Sequence, residues 1–115
     1  MDPGKLRHRV TIQQPFEATA GGETAITWSD VETGVWAAIE PISSREYFLA
    51  SQVRADITHR VTVRYRPGIK ANWRIVWRDG GTERILNLLG PPIDREERHA
   101  WLELMCGEAD YETSG

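Results

Sequence analysis

The clearest strand in the sequence is THRVTVRYR, residues 58–66. Apolar and aromatic side chains occur at every second position, where they alternate with threonines and arginines. One face would carry His59, Val61, Val63 and Tyr65, and the other Thr58, Arg60, Thr62, Arg64 and Arg66. A period of two is typical of a strand that has one face in a core and the other in water. This stretch therefore predicts a β-sheet whose wetter face is rich in arginine.

Segments with the same period lie on both sides of this strand. They predict further strands at Leu6–Gln14, Thr24–Trp28, Gly34–Ile39, Thr82–Leu89 and Arg98–Cys106, with one more around Trp73, Ile75 and Trp77. The glycine pairs Gly21-Gly22 and Gly80-Gly81 predict tight hairpin turns. We expect Pro15 and Pro41 to end strands, because proline cannot donate a hydrogen bond to a neighbouring strand.

One segment departs from this period. Ser43 and Glu46 have the spacing of a helix capping box, and residues 45–53 show no two-residue alternation. The sequence thus predicts a mainly β fold, with one short helix or long loop inserted around residues 43–55. Six to seven antiparallel strands would form a small β-barrel or a two-sheet sandwich. We expect a single domain over residues 1–107, followed by a short, flexible acidic tail at 108–115.

Composition narrows the class of protein. With 115 residues the chain is long enough for one core and too short for two. Its formal net charge of −3 argues against a simple nucleic-acid binder, which needs a clustered basic face. No apolar run approaches the roughly 20 residues that cross a bilayer, and we find no signal-peptide core. We therefore expect a cytoplasmic protein with no membrane contact.

The sequence offers little for catalysis or for metal binding. His8, His59 and His99 lie on separate predicted strands and outside any ligand motif, and the single cysteine, Cys106, sits among apolar residues. Glu96 and Glu97 are flanked by arginines, which is typical of a solvated turn. No phosphate-binding loop or nucleophile elbow is present. We predict no enzymatic activity, no catalytic residues, no metal and no cofactor.

Two surfaces are candidates for binding. The arginine row Arg60, Arg64 and Arg66 predicts either a lumen or DNA-facing stripe, or a solvated face balanced by glutamates. Two aromatic residues and a leucine follow one another at 47–49, so a helix there would leave at least one of them outward, unless the helix packs across a barrel mouth. The predicted partner-contact residues are Arg45, Tyr47, Phe48, Leu49, Gln52 and Arg54.

Several segments, taken in order, resemble a known family: the head-tail joining proteins of long-tailed bacteriophages, also called head-closure or stopper proteins. Prophages and gene-transfer agents use similar parts. The matching segments are Gly4–Gln13, Gly21-Gly22 ahead of Trp28, Val35–Pro41, Ser44–Glu46, His59–Ile69 and Leu102–Cys106. They span nearly the whole chain.

The resemblance implies a β-barrel subunit of a homo-oligomeric ring in the virion, assembled in the host bacterial cytoplasm. Such a ring would close the DNA-filled head and provide the docking surface for the tail. Its partners would be portal and adaptor proteins on the head side, tail-terminator or tail-tube proteins on the tail side, and packaged double-stranded DNA in transient contact. Two alternatives remain at this point: a small β-barrel that binds nucleic acid, and another connector part such as a tail-terminator or tail-completion protein.

Overall fold

The computed structural model describes residues 6–42, 57–94 and 99–108. These residues form seven antiparallel strands joined by turns and irregular segments, with no helix among them. The strands are β1 (His8–Ala20), β2 (Glu23–Pro41), β3 (His59–Arg64), β4 (Arg74–Asp79), β5 (Thr82–Leu88), β6 (Ile93–Asp94) and β7 (Trp101–Glu108). The mainly β class is confirmed. The helix or loop predicted at 43–55 lies outside the described residues.

Closure of the sheet selects the barrel over the two-sheet sandwich. Neighbouring strands follow the order β3-β2-β1-β4-β5-β7-β6, and β3 also pairs with β7. That closing pair runs from His59 opposite Cys106 to Arg64 opposite Trp101. The short β6 pairs with β7 at Leu102 and Glu103, next to the β5 pairing on the same strand. Six strands therefore form a closed ring, which removes the free edges that a sandwich would leave, except where β1 and β2 extend beyond the barrel.

The core fills the inside of this ring. Alternate side chains of β3 and β4 point inward as predicted, with Val61, Val63 and Ile75 fully buried and Trp77 8% exposed. They pack in one cluster with residues of the other long strands: Val10, Ile12, Val35, Ala37, Leu86, Leu88, Leu102, Leu104 and Cys106. The two-residue period of the sequence therefore corresponds to the inside and outside of the barrel.

The expectation that Pro15 ends the first strand is wrong, because β1 continues to Ala20. Strand β4 leaves β1 at the pair of Gln13 and Arg74, so beyond that point β1 has a neighbour on one side only. Ala20 and Glu23, on either side of the two-glycine turn, form a hydrogen-bonded pair. Hydrogen-bonded and non-hydrogen-bonded pairs alternate along two antiparallel strands, so Pro15 and Trp28 form a non-hydrogen-bonded pair. Proline is tolerated because its missing N–H faces the open edge.

The strands predicted at 24–28 and 34–39 are one continuous strand, β2, which is a second correction. Its register against β1 shifts twice, between Val10 and Ile12 and between Ile12 and Gln13, and each shift places one extra residue on β2. Gly34, with φ of 65°, lies in the first of these bulges. A bulge bends and twists a strand without ending it, so the residues between 28 and 34 stay in the sheet. The predicted stop at Pro41 is confirmed.

At the other end of the chain, β7 continues through Gly107 to Glu108. The strand therefore runs one residue past the predicted domain boundary. Residues 109–115 of the predicted tail lie outside the described residues.

Candidate interaction surfaces

The most prominent surface feature is a projecting hairpin, residues 14–29, which we call the arm. Beyond the pair of Gln13 and Arg74, the described strands β1 and β2 pair only with each other along the arm. Its side chains are largely exposed, including Phe16 at 52% and Ile26 at 61%. The molecule measures 48 Å along its longest axis and 31 and 28 Å along the others. The arm thus leaves the barrel as a two-stranded ribbon.

Both faces of the arm combine apolar and acidic side chains. Glu17 and Ile26 are directly opposite each other across the two strands and therefore share a face. Phe16, opposite Thr27, lies on the other face, which also carries Glu23 near the tip. A hairpin of this composition has no face that belongs to the core of its own barrel. Such a ribbon is suited to contact with another molecule.

The base of the arm is fixed to the barrel. The Arg74 guanidinium donates to Gln13 Oε1 at 2.7 Å, and Gln13 Nε2 in turn donates to Asp30 Oδ1 at 2.7 Å. The Arg74 guanidinium also lies 4.1 Å from the ring centre of Trp28. Burial lowers the pKa of Arg74, but the group remains a cation. These contacts join β1, β2 and β4 and hold the arm in a defined direction.

The opposite end of the same two strands is basic; we call Arg7, His8, Arg9 and Trp36 the basic end. Arg7 and Arg9 are exposed, and the Arg9 guanidinium lies 4.6 Å from the ring centre of Trp36, its cross-strand partner. The indole itself is 48% exposed. An open groove of about 400 Å³ runs beside these residues and is lined by Arg7, His8, Ala38, Ile39 and Glu40. Cationic and apolar surface are therefore available side by side.

The predicted arginine row has other partners within the chain. Arg60 lies 3.3 Å from Glu40, and Arg66 pairs with Glu32. The Arg64 guanidinium lies 5.3 Å from the ring centre of Trp101. Carboxylates thus accompany two of the three arginines, the arrangement expected of a solvated, balanced face. A lumen or DNA-facing role for Arg60, Arg64 and Arg66 stays a prediction.

The other predicted surface, Arg45, Tyr47, Phe48, Leu49, Gln52 and Arg54, lies outside the described residues and also stays a prediction. Sequence reasoning found the hairpin turn of the arm but missed the arm as a projecting element. A signal was present, because polar side chains occupy both alternation phases between residues 13 and 27. A strand that has no apolar face does not line a core.

A cluster around Arg84 fastens the end of β7 to the β4–β5 hairpin. Its guanidinium donates two hydrogen bonds to the Glu108 carboxylate, at 2.6 and 2.7 Å, and one to Asp79 at 3.0 Å. It also lies 4.4 Å from the ring centre of Trp77. The hydrogen bonds from Arg84 lower the pKa of Glu108, despite the opposing effect of burial. Burial lowers the pKa of His59, and the nearby Glu108 charge partly offsets that effect.

This cluster predicts an acid-sensitive contribution to stability. A carboxylate with a lowered pKa stabilises the fold fully above its unfolded value, about 4.5, and the contribution is lost as the pH falls through the folded value. Glu108→Gln should therefore lower the free energy of unfolding by about 1 kcal/mol at pH 7, since the pair is partly exposed. The difference between the two proteins should shrink below about pH 4.5.

Urea unfolding at several pH values measures this difference directly. His59 affects stability in a higher pH range. Because its pKa is lowered in the folded state, the unfolded state binds a proton more readily below the ordinary pKa of 6.5, and the stability decreases as the pH falls. A difference between the Glu108→Gln variant and the native protein that stays constant from pH 7 to pH 3 would contradict the assignment.

The thiol of Cys106 has a structural setting. Cys106 is buried, which raises the pKa of its thiol to about 12, and its Sγ lies 3.5 Å from the Leu104 carbonyl oxygen. Within the described ranges, no three His, Cys, Asp or Glu side chains come close enough to hold a metal ion. Those ranges also contain no helix of the length and apolarity that crossing a membrane requires.

Comparison with known proteins decides the family. A family model described as "Phage head completion protein" matches residues 1–109. The chain belongs to this family. The matched range contains the whole barrel, the arm and the basic end, so all the surfaces described above fall within the phage head completion domain. The resemblance to head-closure proteins predicted from the sequence is confirmed.

Two head completion proteins of bacteriophages are similar in sequence. Head completion protein gp7 of Enterobacteria phage HK97 is 30% identical over 117 residues, which cover 92% of this chain and 95% of gp7. Head completion protein gp16 of Bacillus phage SPP1 is 29% identical over 86 residues, 74% of each chain. The similarity to gp7 extends over nearly the full length of both proteins.

A solved structure shares the fold. The solution structure of protein SF1141 from Shigella flexneri 2a superposes with a TM-score of 0.76 at 33% sequence identity, covering 96% of this chain and 99% of that one. The β architecture of this chain therefore has an experimentally determined counterpart, which it matches over nearly the full length of both proteins.

Proposed function

We propose that this protein is a structural, non-enzymatic component of a phage virion that completes the DNA-filled head. In this proposal its subunits form a homo-oligomeric ring at the head-tail connector, close the head and provide the surface on which the tail docks. The family match over residues 1–109 carries the proposal. Its support comes from two relatives, gp7 and gp16, both of which are head completion proteins.

The shape of the subunit is compatible with a ring. A ring of identical subunits needs two different, complementary patches on each copy, because the contact is head-to-tail. The arm and the basic end are two such patches at opposite ends of β1 and β2. The closed barrel between them supplies a rigid body, which would keep their relative orientation the same in every subunit.

Within the connector, we propose portal and adaptor proteins as partners on the head side and tail-terminator or tail-tube proteins on the tail side. The predicted contact residues, Arg45, Tyr47, Phe48, Leu49, Gln52 and Arg54, are candidates for these partners. Contact with double-stranded DNA would be transient. Arg60 and Arg66 lie beside carboxylates, and the net charge of the chain is −3. The arginine row would therefore displace few counterions from the DNA phosphates and would bind passing DNA weakly.

Deleting the gene from its phage or prophage tests the proposal. We expect DNA-packed heads that lack tails and lose their DNA, because the last step of head assembly is missing. Purified protein added together with free tails to freshly packaged heads of this strain, before their DNA escapes, should restore infectious virions. Normal particles from the deletion strain, a failure of capsid assembly, or a tail defect with heads left complete would refute the proposal.

A binding measurement separates this role from that of a nucleic-acid-binding module. A head completion subunit should bind fluorescent DNA oligonucleotides only weakly in isolation. Binding below one micromolar that weakens steeply with added salt would instead favour the nucleic-acid module.

A further inference from the structure

We propose that, in the ring, the arm of each subunit docks on the basic end of the next copy, with Glu17 and Ile26 against Arg9 and Trp36. This inference rests on the proposed ring and assigns its subunit contact. The occupant of the basic end is thus a second copy of this chain.

The charges of the two surfaces are complementary. The arm contains Glu17 and Glu23 and no lysine, arginine or histidine. The basic end presents Arg7 and Arg9, both exposed. The acidic group beside that end, Glu40, already has Arg60 at 3.3 Å. Complementary potentials of this kind fix the register of a contact and exclude the reverse orientation.

The apolar groups are complementary as well. Glu17 and Ile26 form a cross-strand pair on one face of the arm, so a carboxylate and an exposed aliphatic side chain lie side by side. Arg9 and Trp36 form the matching cross-strand pair, a guanidinium beside a half-exposed indole. Docking would bring carboxylate to guanidinium and isoleucine to indole in a single step. Tryptophan and arginine are the residues that most often dominate the energy of such contacts.

The geometry makes the contact intermolecular. Arg9 and Glu17 occupy the same strand, eight positions apart, which is about 26 Å at the rise of a β-strand. A stiff ribbon cannot fold back over that distance, and its base is fixed by Arg74 and Gln13. The acidic end of one copy therefore meets the basic end of another. A docked pair keeps one unused arm and one unused basic end, so the contact propagates until the ring closes.

Charge reversal tests the contact. We expect Glu17→Lys, and separately Arg9→Glu, to reduce ring assembly at fixed protein concentration at least about tenfold, because like charges then face each other. The double variant that combines Glu17→Lys with Arg9→Glu should regain assembly, since the lysine on its arm then meets a glutamate at the basic end of the next copy. Native mass spectrometry and negative-stain electron microscopy, with heads from the deletion strain or the cognate adaptor present, measure the fraction of protein in rings.

The control is Arg78→Glu, a charge reversal of an exposed arginine at the β4–β5 hairpin, which should assemble like the native protein. Thermal unfolding of each variant establishes that it is folded. Native-like assembly of both single variants, or a double variant that stays unassembled, would overturn the inference and leave the proposed function intact. A native protein that forms no ring under the same conditions would instead refute the ring itself.

Discussion

Trp77→Ala is expected to lower the free energy of unfolding by about 3–5 kcal/mol. Trp77 is only 8% exposed and belongs to the core cluster of the barrel. Its ring makes an edge contact with His8 at 5.1 Å between centroids, and the Arg84 guanidinium lies 4.4 Å from it. Truncation would leave a cavity inside a closed sheet, where the surrounding strands have little freedom to collapse. Urea denaturation followed by far-ultraviolet circular dichroism measures the loss.

The chain offers a matched control for this substitution. Trp36 is 48% exposed, so Trp36→Ala removes a side chain of the same size but leaves no internal cavity. Its expected cost is about 1 kcal/mol or less, mainly from the lost contact with Arg9. Equal losses for the two variants would mean that Trp77 does not support the core as described.

Thr62→Pro is expected to lower the free energy of unfolding by about 3 kcal/mol or more, because it breaks the sheet beside its closing seam. Thr62 is 4% exposed and lies between Ala38 on β2 and Glu103 on β7. The Ile42 N–H donates to the Thr58 carbonyl oxygen at 3.0 Å. Hydrogen-bonded pairs occur at every second residue along β2 and β3, so the Thr62 N–H points to the Ala38 carbonyl oxygen. Proline cannot donate this bond, and the buried carbonyl would be left without its partner.

Glu17→Pro is the corresponding control on the arm. Glu17, like Pro15 two residues earlier, belongs to a non-hydrogen-bonded pair, so its N–H faces the open edge of the ribbon. The expected loss is about 1 kcal/mol or less. Chemical denaturation of both variants gives the comparison. A native-like midpoint for Thr62→Pro would show that the pairing of β3 within the barrel is not required for stability.

Much of the local structure could be predicted from the sequence because the signals are local. The inward face of β3 and the hairpin between β4 and β5 depend on alternation and on two glycines. Both were predicted correctly. The strand ends predicted at Pro15 and between residues 28 and 34 were wrong. Whether a strand ends at these places depends on the presence of a second neighbouring strand and on bulges that accommodate extra residues. That information comes from strands distant in sequence.

The candidate surfaces likewise depend partly on local sequence pattern and partly on contacts between distant segments. The amino-acid pattern by itself determined which side chains point inward, where the hairpins turn and which family the chain resembles. Only the tertiary structure decided that the sheet closes through β3 and β7, that the arm extends free of the barrel, and that Arg60 meets Glu40, twenty residues away. Alternation is set by the backbone of each strand alone, whereas pairing partners, free edges and ion pairs are set by the packing of segments far apart in the chain.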